Sequence, residues 1–432
     1  MILGSLLSLM LITVSCDNDL DQFPTNVASS DSLTDFTGVL NAAYFYQHAG
    51  ATPMAVMGDF RADNALMEEE PYPAFDRFTN DLTVMEDQFF GPFYTGMYRS
   101  ILSANNVIEN STNAVEVGEA QFLRALSYFK LVRVFGDVTL NLSSAPSTTD
   151  GSILARTPAS AVYTQIIADL QAAMAALGTD INNGRASRFA AQGMLGKVYM
   201  QLGDFGNAAT NLAAVVNGAG GAGIALQDDF ANIFGMANDL NSEIIYATQI
   251  SSSISDEYGF SEFWSWSGGL DTKSLLPLDP DLVAAFDASG EMDTRRAVTI
   301  NTETMASPKF PQSGGPDHDW IELRLADVIL LYAEALNETG NTAGALTELN
   351  KIRTRAGLAN STATGQGDVR QAIADERRLE LAFEGQRWFD LVRTGTVNAE
   401  MGQTIDPRFH IFPVPVSEVL ASFGVITQNP GY

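Results

Sequence analysis

Cysteine is all but absent: Cys16 is the only one in 432 residues. A single thiol leaves no internal disulfide and no thiolate metal site. Histidine is nearly as scarce, and His48, His318 and His410 lie far apart in the chain. There is no HExxH, no Cys/His cluster and no nucleophile elbow, so metal and triad chemistry have no anchor and no metal or cofactor is expected. Basic residues are few, 24 against 52 acidic ones, for a formal charge of −28. That balance argues against nucleic acid, whose binding needs Lys and Arg on phosphates. It argues equally against a polybasic membrane surface, and it favours a neutral ligand over an anionic one. Past the first fifteen residues no apolar run is long enough to span a bilayer.

What is present begins with the environment of that cysteine. Residues 1–15 are uncharged, mostly apolar and end in Thr13-Val14-Ser15 directly before Cys16. An apolar core, small residues and then a cysteine form the pattern of a bacterial lipoprotein signal. The run is too short for a transmembrane helix and is followed at once by Asp17, Asn18 and Asp19. The expectation is a signal over 1–15, a lipid on Cys16, and a folded domain over 16–432 that is anchored to a membrane rather than spanning it.

Helical period dominates the rest. Phe90, Phe93, Tyr94, Met97, Tyr98, Ile101 and Leu102 recur at spacings of three and four, as do Phe122, Leu123, Leu126, Phe129 and Val132. Similar runs predict helices over 159–177, 188–202, 206–216, 322–338, 342–355, 368–385 and 386–393. Strand-like alternation is confined to short pieces such as Glu243–Thr248. The fold class is therefore mostly α, with helical scaffold over about 35–216 and 321–432 and a loop-rich region over about 217–320. Two stretches look alike. Residues 191–209 and 330–346 each read as a helix, a turn at Gly203-Asp204 or Gly340-Asn341, and a second helix with Ala208 or Ala345 five residues after the glycine. This is the helix-pair logic of tetratricopeptide repeats.

Three motifs carry possible chemistry. Gly218, Gly220 and Gly223 fit G-x-G-x-x-G but follow a helix instead of a strand, so they read as a loop. Glu376, Glu380 and Glu384 share one face of the predicted 368–385 helix, with Arg387 three residues from both Glu384 and Asp390. A catalytic carboxylate cluster is one reading; a structural ion-pair network is preferred, because the acids come with matching arginines. The third motif is aromatic. Trp264-Ser265-Trp266-Ser267-Gly268-Gly269 follows Tyr258, Phe260 and Phe263, and Tyr72, Phe75 and Phe78 punctuate an acidic stretch over 65–88. Sugar rings stack their C–H faces on such rings, and in strand geometry Trp264 and Trp266 would share a face.

Taken in order, these segments resemble the SusD/RagB family of outer-membrane lipoproteins of the Bacteroidetes. Leu20-Asp21-Gln22-Phe23-Pro24, Arg61-Ala62-Asp63-Asn64, Ala104-Asn105-Asn106-Val107-Ile108-Glu109, Gly118–Ala125 and Phe135-Gly136-Asp137-Val138 are similar to its successive blocks. So are Arg353–Gly357, Glu384-Gly385-Gln386-Arg387, Asp390-Leu391, Phe412–Pro415 and Gln428–Tyr432. Thr139, where the family often has Pro, and the absence of a basic start to the signal are the departures.

The resemblance implies a helical scaffold of tetratricopeptide-type pairs with a loop-rich ligand face. It implies a non-enzymatic lipoprotein, surface-exposed on the outer membrane, that captures glycans for a TonB-dependent SusC-like transporter. No family motif fixes the ligand contacts. The residues themselves nominate Trp264, Trp266, Tyr258, Phe260, Tyr72, Phe75, Phe78 and Trp320 for stacking. Arg61, Asp63 and Asn64 are nominated for hydrogen bonds to hydroxyls, although their place in a motif suits a structural role as readily. A neutral polysaccharide such as a glucan is the expected ligand. A peptide- or glycoprotein-capturing protein on the same scaffold, and a helical glycoside hydrolase, are the alternatives.

Overall fold

The computed structural model describes residues 34–66, 70–147, 150–181, 184–250, 278–310 and 317–432. Cys16, and the stretch with Tyr258, Phe260, Trp264 and Trp266, lie outside the described residues. In chain order the elements are α1 (Thr37–Phe45), α2 (Ala51–Asp59), α3 (Ala74–Arg77), α4 (Gly91–Asn110), α5 (Ala114–Phe135), β1 (Val138–Thr139), β2 (Arg156–Thr157), α6 (Ala159–Ala176), α7 (Arg188–Gln201) and α8 (Phe205–Gly218). There follow β3 (Ile244–Thr248), α9 (Pro280–Ser289), α10 (Arg295–Thr299), β4 (Trp320–Arg324), α11 (Leu325–Glu338), α12 (Thr342–Arg355), α13 (Gly365–Glu380), α14 (Arg387–Thr394), α15 (Val397–Glu400) and α16 (Val416–Ala421). The strands form two antiparallel pairs, β1 with β2 and β3 with β4, the second irregular in register between Ile244 and Ala247. A mostly helical scaffold with few short strands is what the periodicity predicts.

The central helix is α5, in which 16 of 22 residues are buried. A helix apolar on nearly every side must be wrapped by others, and α4 and α6 pack along it. Its polar residues are paired: Arg124 holds Asp169 on α6 through Nε and Nη2 at 2.8 and 2.6 Å, and Lys130 meets Gln47 and Glu322. The repeat-like helices pair as α7–α8 and α11–α12, and α8 lies against α11, so the two pairs stack. Each second helix begins with a side-chain cap, Asp204 on the Asn207 amide (3.1 Å) and Asn341 on the Gly344 amide (3.0 Å). Ala208 and Ala345 are fully buried at the contacts. Gly196 lets α7 and α8 approach, since a Cβ there would sit 2.5 Å from Leu212 Cδ2.

Two predicted boundaries move. The 322–338 helix starts at Leu325 because residues 320–324 pair with β3 instead. The 368–385 helix stops at Glu380, and the chain reverses through Phe383 (φ +66°) and Gly385 (φ +68°). That turn is clamped by the opposite end of the sequence: Asp59 accepts from the Gly385 amide (2.7 Å), and Asp63 receives Arg387 Nε and Nη2, each at 2.7 Å.

Candidate functional site

Among the sequence-nominated rings that are described, all four are core. Tyr72, Phe75, Phe78 and Trp320 are 7%, 0%, 8% and 3% exposed. The 65–88 stretch does not stand off as an open loop; it folds into α3 and tight helical turns whose rings fill the space above α2 and α4. Phe75 packs edge-on against Phe89 (5.7 Å between ring centres), and Phe78 lies on Trp388 (5.7 Å). Trp320 opens β4 with its indole against Gly385. With their faces covered, these rings offer no stacking surface.

Arg61, Asp63 and Asn64 are likewise buried and committed. Arg61 donates to the carbonyls of Phe75 and Phe409, both at 2.8 Å, and to the Tyr432 hydroxyl at 3.1 Å. Its guanidinium lies among Phe78, Trp388 and Phe412, 4.5, 5.5 and 5.3 Å from their centres. Asp63 holds Arg387 and Arg378, while Asn64 donates to Asp59 and accepts from Arg378. These motif residues weld residues 59–64 to the C-terminal region instead of facing a ligand.

The carboxylate cluster is the structural network. Glu380 receives Arg324 (2.6 Å), Arg295 (3.1 Å) and Arg355. Glu384 receives Lys309 (2.6 Å) and Arg324 (2.7 Å), and Glu376 receives Arg295 (2.6 Å) and Arg353 (2.9 Å). Burial alone would raise the Glu380 carboxyl, but three guanidiniums hold it well below the usual carboxylate range. Such an acid has no proton to give at neutral pH. One detail differs from the spacing argument: Arg387 pairs with Asp63 and Glu400, not with Glu384 or Asp390. The turn at 381–386 breaks the helix between Glu384 and Arg387, and Asp390, on the same helix as Arg387, is taken by Arg377 and Arg393.

An open feature lies elsewhere, at the end of β3. A cleft of about 220 Å³ is lined by Asn41, Tyr44 and Phe45 of α1, Arg185 before α7, Tyr246 and Thr248 on β3, and Gln249 just after it. Arg185 anchors one wall, with Nε 2.8 Å from Glu119, Nη1 donating to Asn41 (2.7 Å), and the guanidinium 4.4 Å from the Tyr44 ring centre. Tyr44 donates to Glu119 at 2.6 Å, and burial raises the pKa of both groups. Phe45 is half-exposed at the mouth, its ring edge-on to Tyr46 and His48. Amide, hydroxyl and guanidinium groups beside an exposed ring are the equipment for a neutral polar ligand. Phe45 escaped the sequence reading, although Tyr44-Phe45-Tyr46 at the end of a helix is a signal that could have found it. Two residues past the strand, the Ile250 amide donates to Asp319 (2.9 Å), and residue 251 begins the stretch that carries the nominated Tyr258, Phe260, Trp264 and Trp266.

Among the described residues no three His, Cys, Asp or Glu side chains converge as a metal site, and no helix is long and apolar enough to cross a membrane. Comparison with known proteins adds the rest. Residues 294–408 match the model of the SusD family, and residues 13–200 match a family described as starch-binding, associating with the outer membrane. A SusD-like protein of Formosa agariphila is 28% identical, with 98% of each chain aligned. A solved laminarin-binding SusD-like protein is 26% identical, with a TM-score of 0.77 over 93% of this chain and 99% of that one. A SusD superfamily structure from Bacteroides vulgatus has a TM-score of 0.78 at 21% identity, covering 94% of this chain and all of the other. Sequence blocks in family order, stacked helix pairs and these likenesses agree: the chain belongs to the SusD/RagB family.

Proposed function

We propose that this protein is a glycan-binding lipoprotein of the outer membrane that captures a neutral polysaccharide, such as a glucan, and delivers it to a TonB-dependent SusC-like transporter. The observation that carries the reading is the likeness to the laminarin-binding relative along nearly the whole chain. Laminarin is an uncharged glucan, and a chain of formal charge −28 suits an uncharged ligand better than an anionic polymer. The glycan is assigned to the face where β3 ends, with Phe45 at the described cleft and Trp264, Trp266, Tyr258 and Phe260 as stacking residues on the following stretch. The protein binds without catalysis, and Cys16 carries the lipid that tethers it, facing outward at the cell surface. The committed state of Glu376, Glu380 and Glu384 gives the hydrolase alternative no support.

Affinity gel electrophoresis of residues 17–432 against laminarin, starch, xylan, mannan and an anionic control tests the reading. Retardation by a neutral polymer and not by the anionic one is expected. Failure of every polymer to retard the protein, or release of reducing sugar on incubation, would overturn it.

A further inference from the structure

A second cavity, of about 260 Å³, lies between the α7–α8 turn and α11, α13, α14 and α15. Five arginines line it, and each is held by a carboxylate. Arg393 pairs with Glu334 and Asp390, Arg377 with Asp327 and Asp390, Arg387 with Asp63 and Glu400, Arg378 with Asp63, and Arg370 with Glu338. Six carboxylates thus answer five guanidiniums, and an anionic ligand would gain no net attraction here. The pairing is nonetheless incomplete. Among the described residues, Nη1 of Arg370, Arg378 and Arg387 donates to no protein acceptor, and Glu400 Oε1 and Gln386 Oε1 accept from no protein donor. Phe205 and Met200 supply an apolar wall beside these groups.

We infer that this cavity is a second carbohydrate subsite, taking one or two rings of a neutral glycan against Phe205 while hydroxyls bridge the free guanidinium donors and the Glu400 and Gln386 acceptors. A hydroxyl both donates and accepts, so a polyol satisfies this mixed set where a plain cation or anion satisfies half of it. Small-ligand pockets run from about 300 to 1,000 Å³, and a cavity just below that range fits a short glycan end and not a long segment. The subsite rests on the glycan-binding reading above but uses none of its residues.

The test is isothermal titration of laminaribiose into the detergent-solubilised full chain and into its W264A/W266A form. The double variant removes the proposed stacking residues and is expected to keep one weak site. On that background Ala374→Trp, which fills the cavity from α13 without removing a member of any ion pair, should weaken laminaribiose at least tenfold. Arg370→Ala, which removes one free donor at little cost to folding, should weaken it by about fivefold, or about 1 kcal/mol. If W264A/W266A loses all laminaribiose binding that the parent shows, the subsite is refuted and the glycan reading stands. Binding to W264A/W266A that neither Ala374→Trp nor Arg370→Ala changes also refutes it. A parent chain that binds neither laminaribiose nor any polymer refutes both.

Discussion

Replacing Glu380 by glutamine should destabilise this protein more than almost any other isosteric change. The side chain is fully buried and receives guanidiniums from Arg295, Arg324 and Arg355, while its backbone carbonyl receives Arg324 Nη2 at 2.8 Å. Both carboxylate oxygens face donors. An amide of the same shape must turn its NH₂ toward one of those cations, losing an acceptor and adding a donor-to-donor clash. Removing one member of a buried ion pair costs about 3–5 kcal/mol, because the remaining charges stay desolvated. Against a total stability of about 5–15 kcal/mol that is a large fraction. With a urea dependence of about 3 kcal/mol per molar, the unfolding midpoint should fall by about 1 M or more. The control is Arg370→Ala, whose side chain is 52% exposed although that of its partner Glu338 is 14% exposed. A surface pair contributes about 0–1 kcal/mol, so its midpoint should move by no more than about 0.3 M. Urea titrations followed by tryptophan fluorescence and far-ultraviolet dichroism compare the two. Equal shifts for Glu380→Gln and Arg370→Ala would refute the claim that the network is buried and structural.

The remaining expectations are more local. Trp264→Ala should weaken retention on the cognate polymer by about fivefold, since one ring stack contributes about 1 kcal/mol, and should leave the melting temperature unchanged; unchanged affinity with an intact fold removes Trp264 from the site. Phe45→Ala should weaken retention by a similar factor while costing less than about 1 kcal/mol of stability because the ring is half-exposed, and equal retention would take the described cleft out of the ligand path. Stability should fall between about pH 4 and 7: burial raises Asp59 to about 6 and Asp319 to about 7, so the folded state holds protons there that the unfolded state has released. Asp319→Asn should flatten that slope in thermal melts, and a slope of opposite sign would contradict the assignment. At the acid end, Asp327 and Glu380 lie well below the usual carboxylate range, so their contribution is present above about pH 4 and is lost as pH falls further.

The helices were legible because spacing alone marks them. The periodicity places α4, α6, α7, α8 and α12 within a few residues, and the paired Gly203-Asp204 and Gly340-Asn341 turns mark the stacked units. The aromatic residues were not sorted the same way. Phe75 and Phe45 both sit in ring-rich stretches, yet one is sealed by Phe89 and Phe90 and the other opens at a cleft. Ring content alone does not separate them, because the difference lies in what returns from elsewhere in the chain to cover the ring. Glu384 shows the same limit at a helix end. Its spacing from Glu380 is helical on paper, but the left-handed Phe383 and Gly385 turn it toward Lys309 and Arg324.

The clamp between residues 59–64 and 383–387 bears on how this protein comes into being. Asp59, Arg61, Asp63 and Asn64 find their partners more than three hundred positions later, at Phe409, Gly385, Arg387 and Arg378. The two stretches that match family models, 13–200 and 294–408, are therefore not separable modules. Expressed alone, the first would leave Asp63 without its arginines, and the second would lack the Asp63 carboxylate that holds Arg378 and Arg387. Contacts this distant in sequence form late and slowly. In a chain emerging from the ribosome, α4, α5 and α6 can pack as neighbours, but the clamp on residues 59–64 closes only once residues near 387 have been made.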